Sequence, residues 1–176
     1  MDFSGLTAAY LRLRYRRHRF GPGFRGPLRL RIRGKGLVSF GRDVRIRNDS
    51  GRTAILTFNA DARIEIGDRV QIDGAGLMSA SRIIIDDEAV LGPCLLVDTD
   101  FHAVGVARRE SGEIAVRRPI RVGRQAWIEG KATLLKGVSI GEGALVRWAS
   151  VVASDVPPGA VVIGNPATVV PDPVRR

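Results

Sequence analysis

A single histidine stands close behind two acidic residues in the segment VDTDFHAVG, residues 97–105. His102 follows Asp100 by two positions and Asp98 by four. Neutral imidazole, with an unperturbed pKa near 6.5, accepts a proton at neutral pH, and a neighbouring carboxylate can fix its tautomer. The segment therefore predicts a general base, His102, oriented by Asp100 or by Asp98, with Asp100 slightly preferred. The alternative is a histidine that is merely solvated in a polar loop.

The residues on both sides of this segment repeat with a period of six, and the repeat stops at the histidine. Aliphatic residues occupy every sixth position at Val122, Ile128, Leu134, Ile140, Val146 and Val152. A small or β-branched residue follows each of the first five after four positions, at Ala126, Ala132, Val138, Ala144 and Ser150. The register runs earlier through Ile66, Ile72 and Met78, then after a one-residue slip through Ile85, Leu91 and Val97, with a weaker start at Phe40 and Ile46. Amphipathic helices would need spacings of three and four, so helices are not expected in these stretches.

A period of six predicts an all-β fold in which three short strands make one turn of about 18 residues, with turns stacked about 4.8 Å apart. Coils of this repeat are left-handed parallel β-helices, against the usual handedness of parallel crossovers. We expect one domain, with a basic N-terminal arm or leading strand at 1–36, the β-helix at 37–156 and a C-terminal capping tail at 157–176. Residues 98–119 are expected to form an active-site loop, and the flat outer faces predict a homotrimer.

The net charge of +10 lies almost entirely in the first 36 residues. There, nine arginines and Lys35 stand against one acid, Asp2, a balance of +9, and the remainder of the chain balances to +1. This arm contains LRLRIR, in which Leu28, Leu30 and Ile32 alternate with arginines as in a half-buried strand. Three roles are left open: a solvated arginine face on a leading strand, binding to an anionic membrane surface and, least favoured, nucleic-acid binding.

The cellular location is suggested by what the sequence does not contain. Neither an apolar signal-peptide region nor an apolar run of about 18 residues or more is found in it. The single cysteine, Cys94, excludes an intrachain disulfide, which fits a reducing compartment. The expected location is the cytoplasm, with the arm able to hold the protein at the inner face of the membrane.

The C-terminal half of the chain is similar to a known family. The run 118–170 and the preceding DTDFH segment resemble hexapeptide-repeat acyltransferases, especially the O-acetyltransferases that modify capsular and lipopolysaccharide sugars. The matching pieces are DFH, RPI, AWI, LLKGVSIG, SVVASDVPP and GNPA, and the similarity covers roughly residues 60–170. The resemblance implies a trimer that binds acetyl-CoA between neighbouring prisms, with His102 activating a sugar hydroxyl of a polysaccharide or its precursor.

The resemblance also implies binding roles for residues of this sequence. Trp127, in the AWI piece, would border the acceptor and the thioester, or simply line the cleft. The positions that match contacts to CoA are Gly130, Lys131, Ala132, Trp148, Ala149, Ser150, Ala153 and Thr168. The turns of a β-helix explain the small residues among them equally well. No metal site is expected, because a zinc carbonic anhydrase of this fold needs three histidines, and the chain has only His102 and His18, the latter among arginines.

Several positions depart from the family's pattern around the expected CoA site. Trp148 follows Arg147 where a small pair is usual, and Glu129 stands where a glycine is usual. Thr168 and Pro171 replace basic residues that would meet CoA phosphates. The candidates to replace those contacts are Lys131, Arg147, Arg175 and Arg176. These departures keep a second interpretation open: a non-catalytic trimeric scaffold or membrane-docking protein with a degraded CoA site.

Overall fold

The computed structural model describes residues 4–102 and 115–171, in which one helix is followed by short strands around a common interior. Helix α1 spans Ser4–Arg14. The strands are β1 Arg19–Phe20, β2 Arg31–Gly34, β3 Leu37–Phe40, β4 Arg45–Arg47, β5 Ala54–Thr57, β6 Arg63–Ile66, β7 Gln71–Asp73, β8 Gly76–Ser79, β9 Arg82–Ile85, β10 Val90–Leu91, β11 Leu95–Val97, β12 Ile120–Val122, β13 Trp127–Ile128, β14 Thr133–Leu134, β15 Ser139–Ile140, β16 Leu145–Val146, β17 Val151–Val152, β18 Val161–Gly164 and β19 Ala167–Val170.

These strands form three sheets, and the chain visits the sheets in a fixed rotation. Sheet 1 has the order β1-β3-β6-β9-β12-β15, sheet 2 β19-β18-β16-β13-β10-β7-β4, and sheet 3 β17-β14-β11-β8-β5-β2. Neighbours within a sheet are one turn apart in sequence and pair in parallel, except that β18 and β19 are antiparallel. The result is a parallel β-helix of about six turns, and the predicted all-β solenoid is confirmed. Each corner is named by the two sheets that it joins in chain order: corner 1–2 leads from sheet 1 to sheet 2, corner 2–3 from sheet 2 to sheet 3, and corner 3–1 from sheet 3 to sheet 1 of the next coil.

The predicted hexad positions fill the interior of the later coils. All six aliphatic residues from Val122 to Val152 are buried, and so are the five residues that follow four positions later. Because each strand is only two to four residues long, one inward side chain per strand supplies most of the core. Full burial of a Val, Leu or Ile side chain contributes about 1.5–3 kcal/mol.

The predicted register is wrong at two positions of the earlier coils. The inward residues of sheet 3 are Leu77 and Leu96, both fully buried in the core, whereas the prediction named Met78 and Val97. Met78 and Val97 pair with each other on β8 and β11 and, by the register of these strands, face outward, although Val97 is only 8% exposed. The physical reason is that corner 2–3 is one residue shorter in these coils, so the spacing from Ile72 to Leu77 is five rather than six.

The N-terminal end of the β-helix is closed by α1, a helix that the sequence analysis did not anticipate. Leu11 of α1 is fully buried and joins the same apolar core as Phe24. Phe20, Phe24 and Phe40 form an aromatic cluster beneath it, with ring centroids 4.9–5.0 Å apart. The end of the prism is therefore sealed by apolar packing.

Residues 19–34, within the predicted arm, make the first coil. Strand β1 pairs with β3, and β2 pairs with β5. Leu30 and Ile32 are buried and Arg31 and Arg33 are exposed, as the alternation predicts, whereas Leu28 precedes the strand and is exposed. At the other end, β18 and β19 form a hairpin that extends sheet 2. In the part of the chain that the structure describes, no helix has the length and apolarity to cross a bilayer.

The outer faces of sheets 1 and 3 differ in character. Sheet 1 carries ion pairs between side chains that contact solvent, including Arg82 with Glu65 at 2.8 Å and Arg121 with Asp86 at 2.9 Å. The outward positions of sheet 3 from its second coil onward are mostly apolar: Ala54, Leu56, Gly76, Met78, Leu95, Val97, Thr133 and Val151. The outer face of sheet 3 is thus less suited to water than that of sheet 1.

Candidate active site

The β-helix is interrupted at corner 3–1 of its fourth coil, between β11 and β12. The chain leaves as a ribbon whose two sides are held together by the Thr99–Arg117 bridge. Asp100 N–H donates to the Val116 carbonyl at 3.1 Å, and Arg118 N–H donates to the Asp98 carbonyl at 2.9 Å. Residues 103–114 of the predicted loop lie outside the described residues. These bonds at the base of the loop fix where His102 leaves the prism.

Asp98 is fully buried and is bound by the coil that precedes it. Its carboxylate accepts hydrogen bonds from Ser79 Oγ at 2.6 Å, from Ala80 N–H at 2.6 Å and from Ser81 N–H at 2.9 Å. A buried carboxylate needs such donors because burial without them is costly. Asp98 therefore ties the loop base to corner 3–1 of the preceding coil.

Asp100 is bound by the coil that follows. Its Oδ1 lies 2.6 Å from Lys136 Nζ, and both side chains are about three-quarters buried, at 22% and 28% exposed. Lys136 belongs to the LLKGVSIG piece and occupies corner 3–1 directly after β14. Sequence reasoning gave Lys136 no role, although a lysine at the turn that follows the interrupted coil was a usable signal. The loop base is thus anchored to both neighbouring coils by its two acids.

His102 is exposed and directly follows Phe101, one ring of an aromatic pair. Phe101 has a left-handed backbone (φ +66°), which is unusual for a bulky residue, and its N–H donates to Thr99 Oγ1 at 3.2 Å. Its ring meets Phe58 edge to face at 5.3 Å, and both rings are about half exposed. This left-handed residue stands immediately before the candidate base in the chain.

A cavity of about 460 Å³ opens at this aromatic pair. Phe58, Phe101, Asn59, Thr99 and Arg117 line it, together with two alanines. The Arg117 guanidinium donates through Nη1 to the Ala80 carbonyl at 3.1 Å and lies 3.6 Å from the exposed Asp61. Sequence reasoning missed this cavity, because Phe58 and Phe101 are 43 positions apart and meet only through the stacking of coils.

Corner 2–3 of the last coils gathers most of the residues expected to meet CoA. The Trp148 ring, 53% exposed, lies directly over Gly130, where there is no room for a Cβ. Lys131 Nζ is 5.6 Å from the centre of the Trp148 ring, a cation–π distance. Lys131 and Ala149 both have φ of +58° and occupy equivalent places in successive coils. The indole therefore forms one wall of the corner and the lysine its charged rim.

Glu129, the acid in place of the usual glycine, is held within this corner. Its Oε2 accepts the Trp148 N–H at 2.7 Å, and its Oε1 lies 3.3 Å from Arg147 Nη1. The side chain is 18% exposed. Its charge is therefore partly offset by Arg147, and it fixes the backbone that carries the indole.

The other expected contact residues divide into buried and exposed positions. Ala132 and Ser150 point into the core, and Ser150 Oγ accepts the Gly164 N–H at 3.3 Å, so only their backbone can meet a ligand. Trp127 is 52% exposed on sheet 2. Ala153 lies after β17 at corner 3–1, and Thr168 is exposed on β19. Arg175 and Arg176 lie outside the described residues.

The structure thus separates the expected site residues into two groups. His102, Asp100 and Asp98 are at corner 3–1, and Gly130, Lys131 and Trp148 are at corner 2–3. The apolar face of sheet 3 lies between the two corners. One chain therefore presents the candidate base on one edge of sheet 3 and the candidate CoA corner on the opposite edge.

Two further titratable groups are withdrawn from solvent: His18, half-buried just before β1, and Cys94, buried at corner 2–3 of the fourth coil. His18 Nδ1 accepts the Val38 N–H at 3.2 Å, and burial, followed by the charge of Arg17, lowers its pKa. Burial raises the pKa of the Cys94 thiol to about 12, which leaves it unreactive near neutral pH. We therefore assign neither His18 nor Cys94 a role in the candidate active site.

Comparisons with solved structures agree with this architecture. A hexapeptide-repeat-containing acetyltransferase of Vibrio cholerae, complexed with acetyl coenzyme A, superposes with a TM-score of 0.57 at 24% identity, over 86% of this chain and 71% of that chain. A maltose O-acetyltransferase of Clostridium difficile has a TM-score of 0.57 at 24% identity, over 86% and 68% of the two chains. The chain has the fold of the hexapeptide-repeat acetyltransferases.

Sequence comparison gives a more specific likeness over a shorter stretch. The chain is 40% identical to Nodulation protein L of Rhizobium meliloti over 93 residues, 53% of this chain and 50% of that protein. The chain spans about half the length of the curated relatives it matches. No protein-family model matches the chain.

Proposed function

We propose that the protein is an acetyl-CoA-dependent O-acetyltransferase that acts on a sugar hydroxyl of a polysaccharide or its precursor. The observation that carries this proposal is the opening of a regular β-helix at one corner, where His102 is exposed and directly follows Phe101, which lines an aromatic cavity. A purely structural solenoid has no need to break its repeat there. The fold shared with an acetyl-CoA-bound acetyltransferase and the similarity to Nodulation protein L support the proposal.

In the proposed reaction His102 removes the proton of the acceptor hydroxyl as its oxygen attacks the thioester carbonyl. The tetrahedral intermediate carries an oxyanion, for which backbone N–H groups of the cleft are the available donors. Its collapse breaks the C–S bond, and the CoA thiolate leaves with the proton that His102 returns. A positioned base of this kind accounts for about 10² to 10⁴ in rate.

The two acids near His102 have different proposed roles. Asp98 braces the loop base through three hydrogen bonds to the preceding coil. Asp100, held by Lys136, is the better candidate to orient the imidazole, because it is partly exposed and two residues nearer to the base. Lys136 then acts as a positioning residue, since it fixes the carboxylate and does not meet the substrate.

The acceptor sugar is proposed to occupy the cavity at Phe58, Phe101 and Arg117. The apolar face of a pyranose ring suits exposed aromatic rings, and guanidinium N–H groups donate to hydroxyl or carboxylate oxygens. This places the acceptor directly before His102 along the chain. The maltose O-acetyltransferase with the same fold is named for a sugar acceptor.

The acetyl-CoA is proposed to lie along corner 2–3. Gly130, Ala149 and their neighbours offer backbone groups, and Trp148 offers a flat surface. Lys131 and Arg147 are the cations of this corner that could meet CoA phosphates, and Thr168, on β19, is a further candidate contact. Arg147 also pairs with Glu129, so Lys131 is the stronger candidate.

A homotrimer is proposed to bring the two corners together. When three prisms pack around an axis through their sheet 3 faces, corner 3–1 of one prism meets corner 2–3 of the next. The apolar outer residues of sheet 3, such as Leu56, Met78 and Leu95, are then removed from water. The candidate base of one subunit would serve acetyl-CoA held by its neighbour.

The test of this function is thiol release from acetyl-CoA with a panel of sugars, neutral and acidic. The wild type is expected to release CoA in an acceptor-dependent manner, and His102→Ala is expected to abolish the acceptor-dependent part with the same mass by light scattering. The position of the Trp148 ring over Gly130 favours the competing interpretation, a non-catalytic scaffold, because the ring would narrow the groove for CoA. Calorimetric titration separates the two, because a scaffold gives no heat with millimolar acetyl-CoA.

A further inference from the structure

Helix α1 presents a second apolar stripe on the side that does not pack against the β-helix. Ala8 and Leu11 are buried, whereas Leu6 is 72% and Leu13 69% exposed, and Tyr10 is also exposed. Spacings of four and three residues put Leu6, Tyr10 and Leu13 on one face, opposite the buried pair. A helix that only closes the prism needs one apolar face. The second apolar stripe therefore indicates a binding partner other than the β-helix.

Arginines surround the stripe. Arg12 and Arg14 flank it on α1 itself. Beside the helix lies a concavity of about 650 Å³, lined by Tyr10 and Leu28 and by Arg14, Arg29, Arg31, Arg33 and Arg52. None of the described residues that line it is acidic. Leu28, 61% exposed, adds a further apolar side chain to the same surface.

We propose that this N-terminal surface, made of Leu6, Tyr10, Leu13 and Leu28 with the arginines around them, docks on an anionic phospholipid bilayer. The leucines enter the boundary between headgroups and acyl chains, with Tyr10 at the same level. The arginines keep their stems on apolar surface and their guanidinium groups on lipid phosphates. The protein is held as a peripheral protein on one end of its prism.

The apolar stripe distinguishes a membrane from a soluble polyanion. Nucleic acid or an anionic glycan would satisfy the arginines, but it would leave Leu6 and Leu13 in water. A bilayer accepts both parts of the surface, because binding strength there grows with buried apolar area and with the attraction to anionic lipid. Charge and apolarity together therefore favour the membrane.

The first test is flotation of the full chain with two vesicle preparations. One contains phosphatidylcholine alone, and in the other part of it is replaced by phosphatidylglycerol. The protein is expected to float with the anionic vesicles only, and raised salt is expected to weaken binding because it screens exposed charges. No residue of this surface has a role in the proposed acetyl transfer, so the result is independent of that function.

Paired variants separate the apolar and the charged contributions. Leu6→Ser/Leu13→Ser is expected to lower partitioning by more than about tenfold, since burial of one leucine contributes roughly that factor. The matched control is Ile163→Ser/Val169→Ser on the exposed C-terminal hairpin. Arg29→Gln/Arg52→Gln is expected to lower partitioning about 25-fold, at about fivefold for each arginine, with Arg82→Gln/Arg121→Gln on sheet 1 as control.

A fluorescence measurement reports the contact directly. In Leu13→Trp, brominated lipid is expected to quench the new indole in anionic vesicles only, whereas in Val169→Trp it should not. Equal partitioning of the leucine variant and its hairpin control overturns the proposal. The proposal is also overturned if neither vesicle preparation is bound while heparin or RNA is bound by both the wild type and the leucine variant. That result would assign the surface to a soluble polyanion.

Discussion

Corner 2–3 and corner 3–1 border the same sheet and come from the same repeat, yet they are built differently. Corner 2–3 stays regular, with Lys131 and Ala149 in the same left-handed conformation in successive coils. Corner 3–1 opens in the fourth coil, where Asp98 and Asp100 fasten the exit of the loop to the coils on either side. A stacked corner offers a groove of backbone groups, whereas a single projecting side chain requires a break in the repeat.

The largest expected effect is a loss of turnover on removal of His102, which tests whether corner 3–1 supplies the base and corner 2–3 only binds acetyl-CoA. His102→Ala should lower kcat for acetyl transfer by about 10² to 10⁴, because it removes the base and nothing from the groove. The KM for acetyl-CoA should change little. The measurement is acceptor-dependent thiol release, with His18→Asn as the control histidine. Near-normal turnover in His102→Ala would remove the functional distinction between the corners.

The next effect concerns stability at the opened corner. Asp98→Ala should lower the free energy of unfolding by about 3 kcal/mol, because it leaves one hydroxyl and two N–H donors without their acceptor in a buried site. Asp73→Ala is a matched control, since Asp73 accepts similar bonds from Asp49 and Ser50 at a more exposed turn and should cost about 1 kcal/mol. Denaturant unfolding measures both. Equal losses would show that the loop base is not specially braced.

At corner 2–3 the informative residue is Trp148. If the indole stacks on the ligand, Trp148→Ala should raise the KM for acetyl-CoA about tenfold with kcat unchanged, and Trp148→Phe should recover part of the loss. Calorimetric titration with acetyl-CoA gives the same comparison without turnover. Tighter binding in Trp148→Ala would mean that the ring narrows the groove, as the degraded-site interpretation requires.

A smaller effect tests the link between Lys136 and Asp100. Lys136→Met should lower kcat about fivefold and leave the KM for acetyl-CoA unchanged, because the pair positions the loop without meeting the ligand. In a double-mutant cycle with Asp100→Asn the coupling should be about 1 kcal/mol, since the pair is partly exposed. Additive effects of the two substitutions would show that the ion pair does not position His102.

The smallest effect lies outside both corners, at His18. Burial lowers its pKa in the folded protein, so the unfolded chain takes up the proton first as pH falls. This residue therefore contributes stability above its unfolded pKa, near 6.5, and that contribution is lost progressively below it. Tm should fall more steeply with acidification in the wild type than in His18→Asn. Parallel curves would contradict this assignment.

Much of the interior could be predicted because the hexad is a local pattern. Residues such as Ile128, Leu134 and Val146 follow directly from the spacing, and all are buried. Met78 and Val97 were misplaced, because a corner shortened by one residue shifts the register without changing the composition. Helix α1 was not predicted although SGLTAAYLRLR is rich in helix-forming residues, because the alternation LRLR at residues 11–14 is equally typical of a half-buried strand.

The site was predictable in its residue types but not in its geometry. Asp98 and Asp100 look equivalent before His102 in the sequence, and only the stacking of coils shows one to be buried and the other paired with Lys136. Phe58 and Arg117 join the cavity from distant positions for the same reason. The groups expected around one ligand also proved to lie on opposite edges of sheet 3, which a linear repeat does not reveal.

The most direct test of the account is complementation in mixed trimers. Subunits with His102→Ala are combined with subunits that carry Lys131→Glu/Trp148→Glu, which keep the base but lose the CoA corner. If the base of one subunit serves the CoA corner of its neighbour, the mixture should regain acceptor-dependent thiol release that neither variant has alone. A mixture that forms trimers by light scattering and stays as inactive as its components would contradict the shared site.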